Sequence, residues 1–139
     1  MRLTKKSVFA IMACTYMARR PKFLVSSEEV AGACGTSVGF MNIIFTNLKN
    51  SKIVFSKKGP GGGYRLNKPF TEISLLEILN SVGERLANKD DYKELITESM
   101  PTESIDSAVS IFNILSHQTN NLLDKFKVSD FTESYNDHN

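Results

Sequence analysis

The segment from Lys57 to Gly63 carries the residue types best suited to binding chemistry, since it combines four glycines with two lysines. Glycine lets a backbone approach another surface closely, and lysine supplies charge for a phosphate. A nucleotide-binding P-loop ends in Gly-Lys-Ser/Thr, whereas tyrosine and arginine follow here, so the segment is not a P-loop. Flanking runs at Ile53–Ser56 and Tyr64–Leu66 predict two strands. The segment therefore predicts a hairpin wing whose loop approaches a DNA backbone or minor groove.

Cysteine and histidine are scarce: Cys14 and Cys34 are the two thiols, and His117 and His138 the two imidazoles. The cysteines are too few for a disulfide framework and are not spaced as a metal-binding pair. No Cys–His or Ser–His–Asp set stands out, so we predict no catalytic residues, no metal site and no enzyme. Two reduced structural thiols are the simplest interpretation. The alternative is a redox switch at Cys34, which precedes the third predicted helix.

Charge is divided along the chain, although the net charge is only +2. Residues 1–68 contain twelve Lys or Arg and two Glu, a formal charge of +10, whereas residues 69–139 carry −8. A basic half joined to an acidic half predicts that the first half meets a polyanion, because lysine and arginine bind phosphates. No apolar run approaches the roughly 18 residues of a membrane helix. We therefore expect a cytoplasmic protein with no membrane partner.

Three helices are predicted before the wing. The first begins after a cap at Thr4 and ends at about Arg19, and its apolar spacing predicts a buried face. The predicted members of that face are Val8, Ile11, Met12, Tyr16 and Met17.

A short second helix and a longer third helix follow, joined by a tight glycine turn. Ser26 and Glu29 form a capping-box pattern at the start of the second helix, which ends near Cys34 and Gly35. The third helix, from about Val38 to Asn50, has an apolar face and a polar outer face. This is a helix-turn-helix arrangement, whose second helix lies in the major groove of DNA.

A further capping-box pattern at Ser74 and Glu77 predicts a helix after the hairpin. From about Thr102 to Lys127, apolar residues recur at heptad spacing and predict a long helix. The stripe favours a partner helix from a second subunit, and packing on the same domain is the alternative. The stripe comprises Ile105, Ala108, Phe112, Leu115, Leu122 and Phe126.

The predicted fold is mainly α with a small β-hairpin, a winged helix-turn-helix plus a long C-terminal dimerisation helix. Its parts are a DNA-binding domain at residues 1–83, an acidic linker and dimerisation helix at 84–127, and a flexible tail at 128–139. The lysines expected to neutralise phosphates are Lys5, Lys6, Lys49, Lys52, Lys57 and Lys58.

The glycine wing also carries a family resemblance. The sequence Gly59-Pro60-Gly61-Gly62-Gly63-Tyr64-Arg65-Leu66, followed by Ile73, Ser74, Leu75 and Ile78, strongly resembles the corresponding part of Rrf2-family transcription regulators. The stretches 1–4 and 27–31 are similar to the same family, and the resemblance covers about the first 83 residues. It implies a winged helix-turn-helix that binds an imperfect palindrome in double-stranded DNA as a homodimer crossed through the long helix. We expect repression by blocking RNA polymerase as the default outcome, and activation is the alternative that the sequence leaves open.

By position, the resemblance implies that four residues at the start of the third helix face the groove or the phosphates. These residues are Ser37, Gly39, Phe40 and Asn42. It also implies wing contacts from Lys58 and the glycines, including Gly61 and Gly62.

The chain departs from the family pattern at several of these positions. Phe40 replaces a usual tyrosine, Gly39 a more usual polar residue, and Lys58 an arginine, which removes a planar fork of donors. Asn42 stands where an acidic side chain is common. It either reads adenine through paired hydrogen bonds or is an ordinary solvated residue.

Several relatives carry an iron–sulfur cluster on three cysteines between the wing-following helix and the dimer helix. Here that segment, residues 83–105, contains no cysteine, so we predict no cluster and no other cofactor. The signal is then a small-molecule effector, a protein partner on the acidic half, or oxidation of Cys34. A protein-interaction module without DNA binding is the alternative function, against which the basic half argues.

Overall fold

The computed structural model describes residues 4–84 and 97–136. Mainly helical structure surrounds one two-stranded antiparallel hairpin, which confirms the predicted fold class. Within these residues no helix is both long and apolar enough to cross a membrane. The elements are α1 (Lys5–Ala18), α2 (Ser27–Cys34), α3 (Val38–Asn50), β1 (Val54–Lys57), β2 (Gly63–Leu66), α4 (Leu75–Ser81), α5 (Thr102–Lys125) and α6 (Val128–Asn136).

Helices α1 to α4 and the hairpin form the winged helix-turn-helix, called the winged unit below. Helix α1 lies at its centre and contacts α2, α3, α4 and also α6. Thr4 caps it as predicted, and the side chain of Ser7 completes a capping box. The predicted buried face is wrong in part, because Val8 is 38% exposed while smaller side chains are buried instead. Four neighbouring helices can approach a central helix closely only where its side chains are short. The buried residues of α1 are Ser7, Ala10, Ala13, Cys14, Met17 and Ala18.

Helices α2 and α3 form the predicted helix-turn-helix, with α2 ending at Gly35. Ser26 caps α2 by accepting a hydrogen bond from the Glu29 backbone N–H at 3.0 Å. The Glu29 carboxylate instead accepts a hydrogen bond from the Tyr16 hydroxyl at 2.7 Å, which raises the pKa of that phenol. The predicted capping box is therefore only half formed, because its carboxylate joins α2 to α1.

The hairpin pairs Val54 with Leu66 at its base and Lys57 with Gly63 at its tip. A third extended residue, Val25, exchanges two backbone hydrogen bonds with Tyr64 at 2.8 and 2.7 Å. The ring of Tyr64 also stacks on Phe45 of α3, with 4.2 Å between ring centroids. The wing is thus held to both the helix-turn-helix and the segment that precedes it.

Helix α4 begins at the predicted capping box, in which the Ser74 side chain and the Glu77 side chain each accept from the other's backbone N–H. Lys68 also donates to the Glu77 carboxylate. Partial burial raises the pKa of Glu77, but the hydrogen bonds from Lys68 and Ser74 outweigh it and hold the pKa below its usual value. This carboxylate therefore stays ionised at neutral pH and joins the end of the hairpin to α4.

Residues 128–136 form helix α6, so the predicted flexible tail is wrong in this part. Val128 is fully buried in the main core and α6 packs against α1, which explains why the segment is ordered despite its polarity. Two backbone hydrogen bonds, both 2.8 Å, hold the junction between α5 and α6. The Leu75 N–H donates to the Phe126 carbonyl, and the Val128 N–H donates to the Ile73 carbonyl. Most of the predicted acidic linker, residues 85–96, lies outside the described residues.

Candidate nucleic-acid interface

Helix α3 buries one side completely and exposes the other. Met41, Ile44, Phe45 and Leu48 are all 0% exposed. The opposite side carries the candidates Gly39 and Asn42, both exposed, and Ser37 caps the helix by accepting from the Phe40 backbone N–H at 3.1 Å. With 13 residues, the helix is about 20 Å long and fits the major groove, which is ~12 Å wide.

Phe40 is half-buried instead of fully presented to a groove. Its ring meets the edge of Phe9 at 5.6 Å between centroids, and the Lys5 ammonium lies 5.0 Å from the Phe40 ring centroid. This cation–π contact holds one of the predicted phosphate-binding lysines beside the first turn of α3. Lys6 is exposed on α1, and Lys57 is exposed at the end of β1.

Three lysines meet at the other end of α3. Lys49 of α3, Lys52 of the following turn and Lys58 of the wing line one open groove of about 450 Å³. Among the described residues, the side-chain ion pairs found involve Lys68 and Lys127, not these three. The other residues that line the groove are Val54, Phe55, Ser56 and Asn67. Positive charge therefore lies at both ends of the exposed face of α3.

Lys52 adopts the left-handed backbone conformation, with φ of 62°. It is the one non-glycine residue with positive φ in the part of the chain that the structure describes. That conformation costs an L-residue about 1–2 kcal/mol, so glycine would fit better here. Asn67 donates its side-chain N–H to the Lys52 carbonyl at 3.1 Å and so helps to hold the strained turn.

Two glycines of the wing are required by close backbone contacts. A Cβ on Gly62 would lie 2.2 Å from the Lys57 carbonyl oxygen, and one on Gly63 would lie 2.6 Å from that of Val25. Gly61, by contrast, is exposed and has open space around the position of a Cβ. Gly62 and Gly63 therefore shape the wing, while Gly61 belongs to its accessible tip.

Helix α5 carries two apolar stripes where the sequence predicted one. Leu123 is buried within the single chain, in which α5 packs against α4. Ile105 is half-buried and lies on the same side of α5 as Leu123, so it belongs at least partly to this internal stripe. The other five predicted dimerisation residues, Ala108, Phe112, Leu115, Leu122 and Phe126, are exposed. Ile111 and Ile114, which the heptad pattern missed, are 58% and 59% exposed. Because these two isoleucines lie outside the heptad positions, they make the exposed apolar stripe of α5 wider than the sequence predicted.

The two cysteines differ in burial. Complete burial raises the pKa of Cys14 to about 12, and partial burial raises that of Cys34 as well. A raised pKa leaves less thiolate at neutral pH, and the thiolate is the form that reacts with oxidants. The structure thus places Cys34 at the end of α2 without activating it.

Alkylation should reveal this difference directly. At pH 7, a maleimide will modify Cys34 more slowly than free cysteine, and the rate will rise with pH as the thiolate forms. Cys14 will react only after denaturation, because it has no solvent access. Mass spectrometry of the labelled protein measures both rates. If Cys34 reacts faster than free cysteine at pH 7, its pKa is lowered and a thiol switch regains support.

Most of the exposed basic residues near this face of α3 were predicted from the sequence. Ile43, an apolar residue that is 49% exposed on α3, was not predicted. The signal was present in the sequence, because four other apolar residues at helical spacing already supply the buried face of α3. The left-handed turn at Lys52 was also missed, since a lysine carries no turn signal of its own.

Comparison with known proteins agrees with this arrangement. The sequence model of the Rrf2 family, described as iron-dependent transcriptional regulators, matches residues 3–134. A Mycobacterium tuberculosis protein named as a helix-turn-helix-type transcriptional regulator is 34% identical over 92 residues, which cover 66% of this chain and 57% of the relative. The regulator IscR of Cereibacter sphaeroides is 33% identical over 87 residues, covering 60% and 56%. The chain thus matches somewhat more than half the length of these relatives.

Solved structures show the same fold. CymR, the global cysteine regulator of Bacillus subtilis, superposes with a TM-score of 0.71 at 15% identity, covering 96% of this chain and 98% of CymR. IscR of T. potens superposes with a TM-score of 0.70 at 17% identity, covering 97% and 88%. The family and the named relatives are transcription regulators and not enzymes, as the sequence predicted. Because the family match extends over nearly the whole chain, this protein belongs to the Rrf2 family of transcription regulators.

Proposed function

We propose that this chain is a sequence-specific regulator that binds an imperfect palindrome in double-stranded DNA as a homodimer and represses transcription in the cytoplasm. Each subunit places α3 in a major groove and its wing on the neighbouring phosphate backbone. Repression follows when the bound dimer blocks access of RNA polymerase to the promoter.

The exposed face of α3, with lysines at both of its ends, is the observation that carries the proposal. Lys5 beside the first turn and the trio of Lys49, Lys52 and Lys58 beyond the last turn flank the helix. Phosphates line both edges of a major groove, so charges at both ends of an inserted helix are suitably placed to neutralise them. RNA fits less well, because the major groove of A-form RNA is too narrow for a helix.

The exposed stripe of α5 supports the homodimer. Phe112, Leu115 and Leu122 are each about half exposed in the single chain, and such a contiguous apolar surface is unusual on a monomer. A second copy of α5 would cover it with matching apolar side chains. Two recognition helices joined in this way would reach half-sites about one helical turn apart.

We further propose that the chain works without the iron–sulfur cluster of some relatives. Cluster ligands are normally thiolates, and this chain has two cysteines, neither between α4 and α5. Burial keeps Cys14 protonated in the core, where it is unsuited to ligation. Within residues 4–84 and 97–136, no three His, Cys, Asp or Glu side chains cluster closely enough to hold a metal ion.

Fluorescence anisotropy tests the DNA-binding proposal. The protein is titrated into its own upstream duplex, into a scrambled duplex and into the corresponding single strand, over a series of salt concentrations. Tight binding that prefers the native duplex and falls steeply with salt supports the proposal. Equal affinity for all three probes, or no binding, would favour a protein-interaction module instead.

Lys52 provides a test in which stability and binding change in opposite directions. We expect Lys52→Gly to raise the free energy of unfolding by about 0.5–1 kcal/mol, because glycine relieves the left-handed strain at some entropic cost. The same change should weaken DNA binding and flatten the salt slope by about two units per dimer, one for each lost lysine.

The control for this experiment is Lys52→Ala, which removes the charge but keeps the strain. It should lower the salt slope equally and bring no gain in thermal stability. A Lys52→Gly protein that is stabilised but has an unchanged salt slope would show that Lys52 does not contact phosphate.

A further inference from the structure

The outermost row of α3 has an unusual composition for a surface that reads DNA. Gly39, Ile43, Thr46 and Asn50 follow one another at helical spacing, and all four are exposed. By that spacing, the row lies opposite the four fully buried residues of the same helix. In a helix inserted into the major groove, this row would lie deepest.

The first three positions of this row offer no free side-chain donor for a base edge. Gly39 has no side chain, and a Cβ there would meet nothing within 4 Å, so packing does not require the glycine. The Thr46 hydroxyl donates its proton to the Asn42 carbonyl of the same helix at 2.8 Å. Between them, Ile43 presents a branched apolar side chain that is 49% exposed.

The major groove of DNA contains one apolar group, the 5-methyl of thymine. Apart from the small C5–H of cytosine, the other groups on its base edges are hydrogen-bond donors or acceptors, and an isoleucine can satisfy neither kind. Burying an exposed isoleucine against a polar base edge would leave that edge desolvated and unpaired, which is unfavourable. Thymine is therefore the base against which Ile43 can be buried without leaving a hydrogen-bonding group of the base edge unpaired.

We propose that Ile43 packs against the 5-methyl group of a thymine in each operator half-site and thereby selects an A·T pair at that position. The absence of a side chain at Gly39 lets the helix approach closely enough for this contact. The inference rests on the proposed function and adds the chemistry by which the recognition helix discriminates between bases.

Replacement of thymine by deoxyuridine tests the contact, because it removes only the methyl group. A bound sequence is first selected from a pool of random duplexes with the wild-type protein, and each thymine is then replaced singly. We expect one position in each half-site at which uracil weakens binding about fourfold, the effect of one buried methyl group. Uracil at the remaining thymines serves as the internal control.

Variants of Ile43 then identify the residue that reads the methyl group. In Ile43→Ala the thymine-to-uracil affinity ratio at that position should fall to about one, whereas Ile43→Val, which keeps a branched apolar side chain, should retain most of it. Circular dichroism should show an unchanged fold, because the side chain lies outside the core.

The outcomes separate the two proposals. A wild-type protein that selects a sequence but tolerates uracil at every thymine overturns the role of Ile43 and leaves DNA binding intact. A thymine preference that persists in Ile43→Ala assigns the contact to another residue and likewise overturns the inference. Failure of the wild-type protein to select any sequence would contradict the proposed function itself.

Discussion

Leu115→Glu is expected to convert the proposed homodimer into monomers and to weaken binding to a full palindrome about a hundredfold or more. Leu115 is 55% exposed in the single chain, so the substitution leaves the core of each subunit intact. In a dimer formed through α5, two leucines would lose their apolar contacts, at about 2 kcal/mol each, and two carboxylates would be desolvated. The sum of these losses corresponds to a rise in the dimer dissociation constant of roughly a thousandfold or more.

Analytical ultracentrifugation measures the change in assembly, and anisotropy with full and half operators measures the change in binding. The matched control is Asn113→Glu, which adds the same charge to α5 about 160° around the helix from Leu115, on an exposed polar side. It should leave both assembly and binding unchanged. A Leu115→Glu protein that still sediments as a dimer would move the subunit interface away from this stripe.

Gly63→Ala is expected to lower the free energy of unfolding by about 3 kcal/mol, although it adds a single methyl group. Its φ of 150° is rarely adopted by other residues, and a Cβ would lie 2.6 Å from the Val25 carbonyl oxygen. To avoid that clash the wing must move away from Val25, and the two hydrogen bonds between Val25 and Tyr64 would break. The stacking of Tyr64 on Phe45 would be disturbed with them.

Thermal denaturation should show a fall in Tm of about 10 °C for Gly63→Ala. The control is Gly32→Ala in α2, where a Cβ meets nothing within 4 Å and the backbone is helical. Alanine favours the helix over glycine by up to about 1 kcal/mol, so this control should raise the Tm slightly. A Gly63→Ala protein as stable as the wild type would mean that the wing can shift at little cost.

Local sequence signals were enough to predict the elements that build the winged unit. Serine caps at Ser37 and Ser74, and the glycine at the end of α2, mark boundaries that the structure reproduces within one or two residues. Such signals act through hydrogen bonds between near neighbours in the chain, so no tertiary context is needed to interpret them.

The features that sequence reasoning missed depend on distant neighbours. The buried face of α1 consists of small residues because four helices surround it, and periodicity alone favoured larger side chains such as Val8. Glu29 matched a capping box, but Tyr16 of another helix is its partner. Likewise, α6 is too polar to predict as a packed helix, and its burial depends on α1.

The packing of α6 against α1 has a consequence for synthesis of the protein. Val128 fills part of the core that α1 shares with the helix-turn-helix, so the first 83 residues emerge from the ribosome with one side of their central helix uncovered. The nascent chain therefore exposes apolar surface until α6 has been translated, a period in which chaperones would bind and premature termination would yield an unstable product. Recognition of DNA by a newly made subunit thus depends on residues translated long after the recognition helix itself.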